Sequence, residues 1–191
     1  MAAYGGLSRA APIAALALTL AGFWVASGRA SAATPGYPQD AIEAAFLYRF
    51  ADFVGWPPTA DARRKFTIAV LDDDTLAGDL ERMPAQGALK GRRVRIRRIN
   101  DIAAARDAQI LYIGPPHANI LRQRLALIAG RPILVVTSQP GGLDAGSTIN
   151  FVLVHRHVRF EISLAAARRA GLSISADLLA VAARVHGRVA Q

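Results

Sequence analysis

Phe66-Thr67-Ile68-Ala69-Val70-Leu71-Asp72-Asp73-Asp74-Thr75-Leu76-Ala77-Gly78-Asp79-Leu80-Glu81-Arg82-Met83 is the stretch that decides the fold class. Phe66 to Leu71 is an apolar run of strand length that ends in three aspartates, and Thr75 to Met83 then reads as a short helix. A strand passed directly to a helix opens a βαβ unit, which implies a parallel sheet with helices on its faces. Arg93 to Ile99 alternates, with Val94 and Ile96 on one face and Arg93, Arg95 and Arg97 on the other, the pattern of a half-exposed strand at or near a sheet edge. Ile110 to Ile113 and Pro132 to Thr137 are further apolar strands, separated by a helical stretch from Pro116 to Ala129.

Upstream, Ile42, Ala45, Phe46, Arg49, Phe50 and Phe53 recur at helical spacing between Pro38 and Val54, and Gly55-Trp56-Pro57-Pro58 closes that helix. Downstream, Pro140-Gly141-Gly142 and Gly146 mark a loop. Two β-rich runs follow, Thr148 to Val154 and Val158 to Ile162, with a tight reversal at His155-Arg156-His157. Leu164 to Ala170 is helical and stops at Gly171, and Ala176 to His186 reads as a last amphipathic helix on Leu178, Leu179 and Val185. The expected fold is α/β: a largely parallel central sheet flanked by helices, with a C-terminal antiparallel hairpin and two final helices.

The first 32 of the 191 residues read as a signal peptide. Arg9 precedes an apolar run from Ala10 to Ala26, and Ala30-Ser31-Ala32 fits the small-x-small cleavage rule. Residues 33–191 then form a single domain, a length that buries about 70% of its unfolded surface. No later run reaches the roughly 18 to 20 apolar residues of a spanning helix. The absence of Cys excludes a lipid-modified N-terminus, a disulfide frame and cysteinyl metal sites. Net charge is +9, of which Arg9 and Arg29 in the leader supply two, leaving +7. For an exported chain this balance favours an acidic protein face or anionic membrane surface, and no nucleic acid is expected as a partner.

Chemistry-bearing constellations are sparse. Asp72, Asp73 and Asp74 stand where an α/β sheet places ligands, but a phosphoacceptor site would also need an aspartate where Ile113-Gly114-Pro115 stands, so the triplet reads better as a helix cap than as a metal site. His155 and His157 flank a turn without a third ligand beside them, and His117 and His186 have no readable partner. Ser138 lacks a nucleophile elbow, and Gly141, Gly142 and Gly146 fit neither a phosphate loop nor a dinucleotide fingerprint. No catalytic residue, metal or cofactor is expected. Lys90 to Arg98 carries six basic side chains in nine positions, either an anion or acidic-surface site through Arg93, Arg95 and Arg97 or an edge strand defended by charge.

The segment Ile149-Asn150-Phe151-Val152-Leu153, continuing through Val158-Arg159-Phe160-Glu161-Ile162-Ser163-Leu164 and Arg168-Arg169-Ala170-Gly171-Leu172 to Leu178-Leu179, resembles the C-terminal signature of the YfiR-like periplasmic family. Ala44-Ala45-Phe46-Leu47-Tyr48-Arg49-Phe50-Ala51 with Phe53-Val54-Gly55-Trp56-Pro57 is similar to that family's opening helix and Trp-Pro stop. The resemblance implies a periplasmic, non-catalytic regulator that binds the sensor domain of an inner-membrane diguanylate cyclase and holds the enzyme inactive. It also implies sequestration by an outer-membrane lipoprotein and a homodimer. Partner contacts are expected at Tyr48, Phe53 and Trp56 and at Arg159, Glu161 and Arg168, with Phe46, Phe151 and Phe160 in the core. The chain departs from relatives that carry disulfides, and its hairpin turn is the basic His155-Arg156-His157. The alternative is a periplasmic small-molecule binder with its pocket at the carboxyl ends of the strands.

Overall fold

A computed structural model describes residues 38–61, 65–83, 92–115 and 118–187. The expected leader, Met1 to Ala32, lies outside the described residues, as do Lys90-Gly91 at the start of the basic run and His117. In chain order the elements are α1 (Gln39–Phe53), β1 (Val54–Gly55), α2 (Pro58–Asp61), β2 (Lys65–Leu71), α3 (Asp74–Arg82), β3 (Arg93–Ile99), a 3-10 turn (Ile102–Ala105), β4 (Ile110–Ile113) and α4 (Ala118–Ala126). β5 (Leu134–Thr137), α5 (Gly142–Ala145), β6 (Ile149–Val154), β7 (His157–Ser163), α6 (Leu164–Arg169), β8 (Ser173–Ile174), α7 (Ala176–Val181) and β9 (Arg184–His186) follow.

The fold is α/β with a mostly parallel sheet, in the order β3-β2-β4-β5-β6-β7-β9. β3, β2, β4, β5 and β6 run parallel, and β7 returns antiparallel from β6. β2 and β4 are buried along nearly their whole length, as expected of central parallel strands covered on both faces, and their apolar runs carry no alternation. β3 is the edge strand that its alternating arginines predict. One face of the sheet packs Ile68, Val70, Tyr112, Val136, Phe151 and Phe160 against α1, α3 and α7. The other packs Leu71, Leu111, Ile113 and Val135 against the 3-10 turn and α4.

Two sequence expectations need correction. The buried stripe of α1 is Glu43, Ala44, Leu47, Phe50 and Ala51, whereas Ala45 is only partly buried and Arg49 is exposed. Ile42, Phe46, Phe50 and Phe53 of the expected stripe do meet the core, which also takes in Ala44, Leu47 and Ala51. The last helix stops at Val181, and Arg184–His186 instead form a strand parallel to β7, with Val185 opposite Ile162. Short runs containing a β-branched residue follow whichever partner tertiary structure supplies, and here β7 offered an unpaired edge.

The β6–β7 reversal is a two-residue hairpin in which His155 and Arg156 both have positive φ, +49° and +65°. That is type I′ geometry, which matches the twist of the strands but strains side-chain-bearing residues. Arg156→Gly is expected to stabilise the protein by about 1 kcal/mol and raise Tm by about 2–4 °C, readable by thermal unfolding; an unchanged or lower Tm would show that the turn is not strained.

Candidate functional site

The carboxyl ends of β2, β4 and β5 lie along one edge of the parallel sheet, where open α/β folds place their ligands. At β2 the three aspartates are each engaged with protein groups. Asp72 pairs with Arg124 at 2.8 Å, Asp73 accepts the Leu76 N–H at 2.9 Å as the cap of α3, and Asp74 lies 3.3 Å from Arg98. Gly114, at the end of β4, admits this turn: a Cβ there would stand 2.8 Å from Asp73 Cβ and 2.9 Å from the Asp72 carbonyl. The triplet is thus a capped and ion-paired turn. Among the described residues no three His, Asp or Glu side chains are grouped as metal ligands.

A second polar cluster, which the sequence reading missed, occupies the same edge. Glu43 projects from the buried face of α1 and is only 1% exposed. Its carboxylate accepts hydrogen bonds from Gln39 at 2.8 Å, the Tyr112 hydroxyl at 2.9 Å and the Ser138 hydroxyl at 2.8 Å. Burial raises the Glu43 pKa above the ordinary carboxylate value, and these three donors offset the effect only in part. Tyr112 is likewise raised, by burial first and by the Glu43 charge second. Beside them Asn150 Oδ1 accepts from Thr137 Oγ1 at 2.7 Å and from the Gln139 N–H at 3.3 Å. The signal available in the sequence was a lone acidic residue on the apolar face of a helix, in step with Leu47 and Phe50.

Five of the six expected contact residues fall into two groups on opposite faces of the sheet. Tyr48 donates to the Leu80 carbonyl at 3.4 Å, and Phe53 lies half-buried beneath the Arg49 guanidinium, 5.7 Å from ring centre to Cζ. Trp56 is only 8% exposed; it donates to the Gln109 carbonyl at 3.2 Å and meets the Phe66 ring edge-on at 5.3 Å, so it supports this surface from the core. Along β7, Phe160 packs against α1, so alternation turns Arg159 and Glu161 to the opposite face. Arg159 donates to the Val181 carbonyl, and Glu161 stands 3.7 Å from Arg184 and 3.8 Å from His186, a partner for His186 that the sequence did not reveal. Arg168 is exposed near the end of α6.

The expected core positions are found there: Phe151 and Phe160 are buried, and Phe46 packs against the same cluster. Of the edge arginines, Arg93 and Arg95 are exposed, while Arg97 is engaged by Asp107 in a bidentate pair. Unanticipated is the hairpin tip, where Leu153 and Val154 are 59% and 39% exposed beside His155 and Arg156.

With this geometry in hand, a family profile described as YfiR/HmsC-like matches residues 40–183, from α1 to the approach to β9. The chain belongs to the YfiR/HmsC-like family. Members of this family are periplasmic, non-catalytic regulators of diguanylate cyclase signalling that act with a membrane cyclase as partner. No curated protein matches the chain. Among solved structures, a conserved domain protein from Vibrio cholerae O1 biovar El Tor is similar at 10% identity and a TM-score of 0.54, over 77% of this chain. The chain spans 60% of that protein's length, and the likeness is one of fold. The ABC domain of a Streptococcus pneumoniae protein, solved with L-Trp, has 12% identity and a TM-score of 0.41 over 63% of this chain and 55% of its own length.

Proposed function

We propose that this YfiR/HmsC-like chain is a periplasmic repressor: exported by a cleaved signal peptide, it binds the periplasmic sensor domain of an inner-membrane diguanylate cyclase and holds the enzyme inactive, which lowers cyclic di-GMP and biofilm formation. The observation that carries this reading is the family match over residues 40–183, which takes in both groups of expected contact residues. The separation of those groups supports a two-sided regulator. One face offers Tyr48 and Phe53, backed by Trp56; the other offers Arg159 and Glu161. One side would meet the cyclase, leaving the other for a sequestering outer-membrane lipoprotein or the second copy of a homodimer. Arg93 and Arg95 add long-range attraction toward an acidic partner surface.

Repression of this kind requires differential binding, because a ligand with equal affinity for the active and inactive sensor shifts nothing. Moving the cyclase from nearly all active to nearly all inactive needs a preference of about 10⁴-fold for the inactive state. Deleting the gene is expected to raise cellular cyclic di-GMP and surface attachment, and removing the partner cyclase as well should return both to the starting level. Unchanged nucleotide in the single deletion, with the cyclase present, would refute the repressor reading.

A further inference from the structure

Five large apolar residues stand exposed among the described residues, and three of them surround one feature, the β6–β7 ribbon. Leu153 and Val154 are at its tip, and Arg159 ties it to the end of α7 through the Val181 carbonyl at 3.2 Å, where Val181 itself is 56% exposed. The ribbon outruns the sheet. β6 pairs with β5 only at Ile149 and Asn150, and β7 meets β9 only from Glu161 to Ser163, so toward the tip the two strands pair only with each other. From Leu153 to His157 every residue is exposed.

Alternation sends Leu153 to one face of the ribbon and Val154 to the other, so the tip is apolar on both sides. Contiguous exposed apolar groups mark contact surfaces, and the charge around these indicates the partner. No acidic side chain stands between Phe151 and Phe160, Arg156 and Arg159 follow the apolar pair, and the whole chain carries +9. The complementary surface is therefore anionic. A stable protein interface takes about 800 Å² of each partner with matched shapes, whereas a protruding turn two strands wide offers a point. A bilayer needs no matched shape: apolar side chains sink below the headgroups while basic ones stay among the phosphates.

We propose that the tip of the β6–β7 ribbon docks on an anionic phospholipid surface. Leu153 and Val154 enter the interfacial layer, and Arg156 and Arg159 meet lipid phosphates. Leu153 opposite Val158 and Val154 opposite His157 keep the backbone of the tip laddered as it leaves water. This docking goes beyond the repressor reading and is tested without it, on vesicles and purified protein alone.

Residues 36–191 form one compact unit, so the test uses the chain from residue 33 onward, without the apolar leader. In co-sedimentation, vesicles of phosphatidylcholine mixed with phosphatidylglycerol are expected to bind at least about tenfold more tightly than phosphatidylcholine alone, and less tightly as salt rises. Leu153→Asp should weaken this binding by at least about tenfold. Leu127 is an equally exposed leucine, 60% against 59%, in the turn between α4 and β5 at the opposite end of the parallel strands, and Leu127→Asp should leave binding unchanged. Arg156→Gly, which relieves the turn, should bind about fivefold more weakly, the worth of one basic side chain at an anionic surface. The chain has no cysteine, so Val154→Cys carries a single environment-sensitive dye, whose emission should shift to the blue on anionic vesicles. The same dye on Leu127→Cys should not shift. Should Leu153→Asp fail to fold, Arg156→Gly and the dye pair decide alone. The proposal is overturned by absent binding, by equal affinity for neutral and anionic vesicles, by full affinity in folded Leu153→Asp or Arg156→Gly, by an equal loss in Leu127→Asp, or by equal dye shifts at the two positions.

Discussion

Phe50→Ala is expected to destabilise the protein by about 3–5 kcal/mol, the range for truncating a fully buried phenylalanine. Phe50 has no exposed surface and sits at the centre of an aromatic cluster that joins α1 to the hairpin. Its ring stacks on Phe151 at 5.8 Å, meets Phe160 edge-on at 5.1 Å and stacks on Phe46 at 5.9 Å. Such pairs add about 0.5–1.5 kcal/mol each beyond area burial, so the loss should fall toward the upper end of the range. Domains of this kind have a total stability of about 5–15 kcal/mol, and the variant would retain only part of it. Urea unfolding should show a lower midpoint with an unchanged slope, since the same surface is exposed on unfolding. A loss below about 1.5 kcal/mol would mean that the hairpin stands without α1.

This cluster also shows what the sequence could and could not reveal. Phe66 to Leu71, Ile110 to Ile113 and the arginine-studded Arg93 to Ile99 were legible because their patterns are local: continuous apolar runs for central strands and alternation for an edge. The hairpin was legible from its two β-rich runs and their short reversal. The C-terminal strand was not, because Arg184-Val185-His186 owes its conformation to pairing with Glu161-Ile162-Ser163, a non-local choice. β1 and β8, two residues each, exist only through one another. The candidate site was illegible for the same reason. Glu43 is joined to Tyr112 and Ser138, residues 69 and 95 positions away, and nothing local distinguishes the buried Gln139 from an exposed one.

Glu43 provides the other large effect. Glu43→Leu removes the acceptor for the Tyr112 hydroxyl, which is buried, and for the Ser138 hydroxyl, which is partly so. Each stranded buried donor costs about 1–3 kcal/mol, so the variant should lose about 2–4 kcal/mol in urea unfolding at neutral pH. Adding Tyr112→Phe should recover part of that loss, because removing both partners of a buried hydrogen bond leaves nothing unsatisfied. The resulting coupling, about 1–2 kcal/mol, distinguishes a real bond from two independent truncations. The carboxylate has a pH signature as well. Burial raises its pKa in the folded protein above the ordinary 4.5, so the folded state holds this proton more tightly than the unfolded chain does. The contribution of Glu43 to stability is therefore greatest below that ordinary value and declines as pH rises through the window between it and the raised folded value. Glu43→Gln cannot titrate, so the difference in unfolding free energy between parent and variant should shift in the variant's favour across that window and level off above it. A difference that stays constant with pH would show that Glu43 titrates alike in the folded and unfolded chain, and that its burial carries no electrostatic penalty.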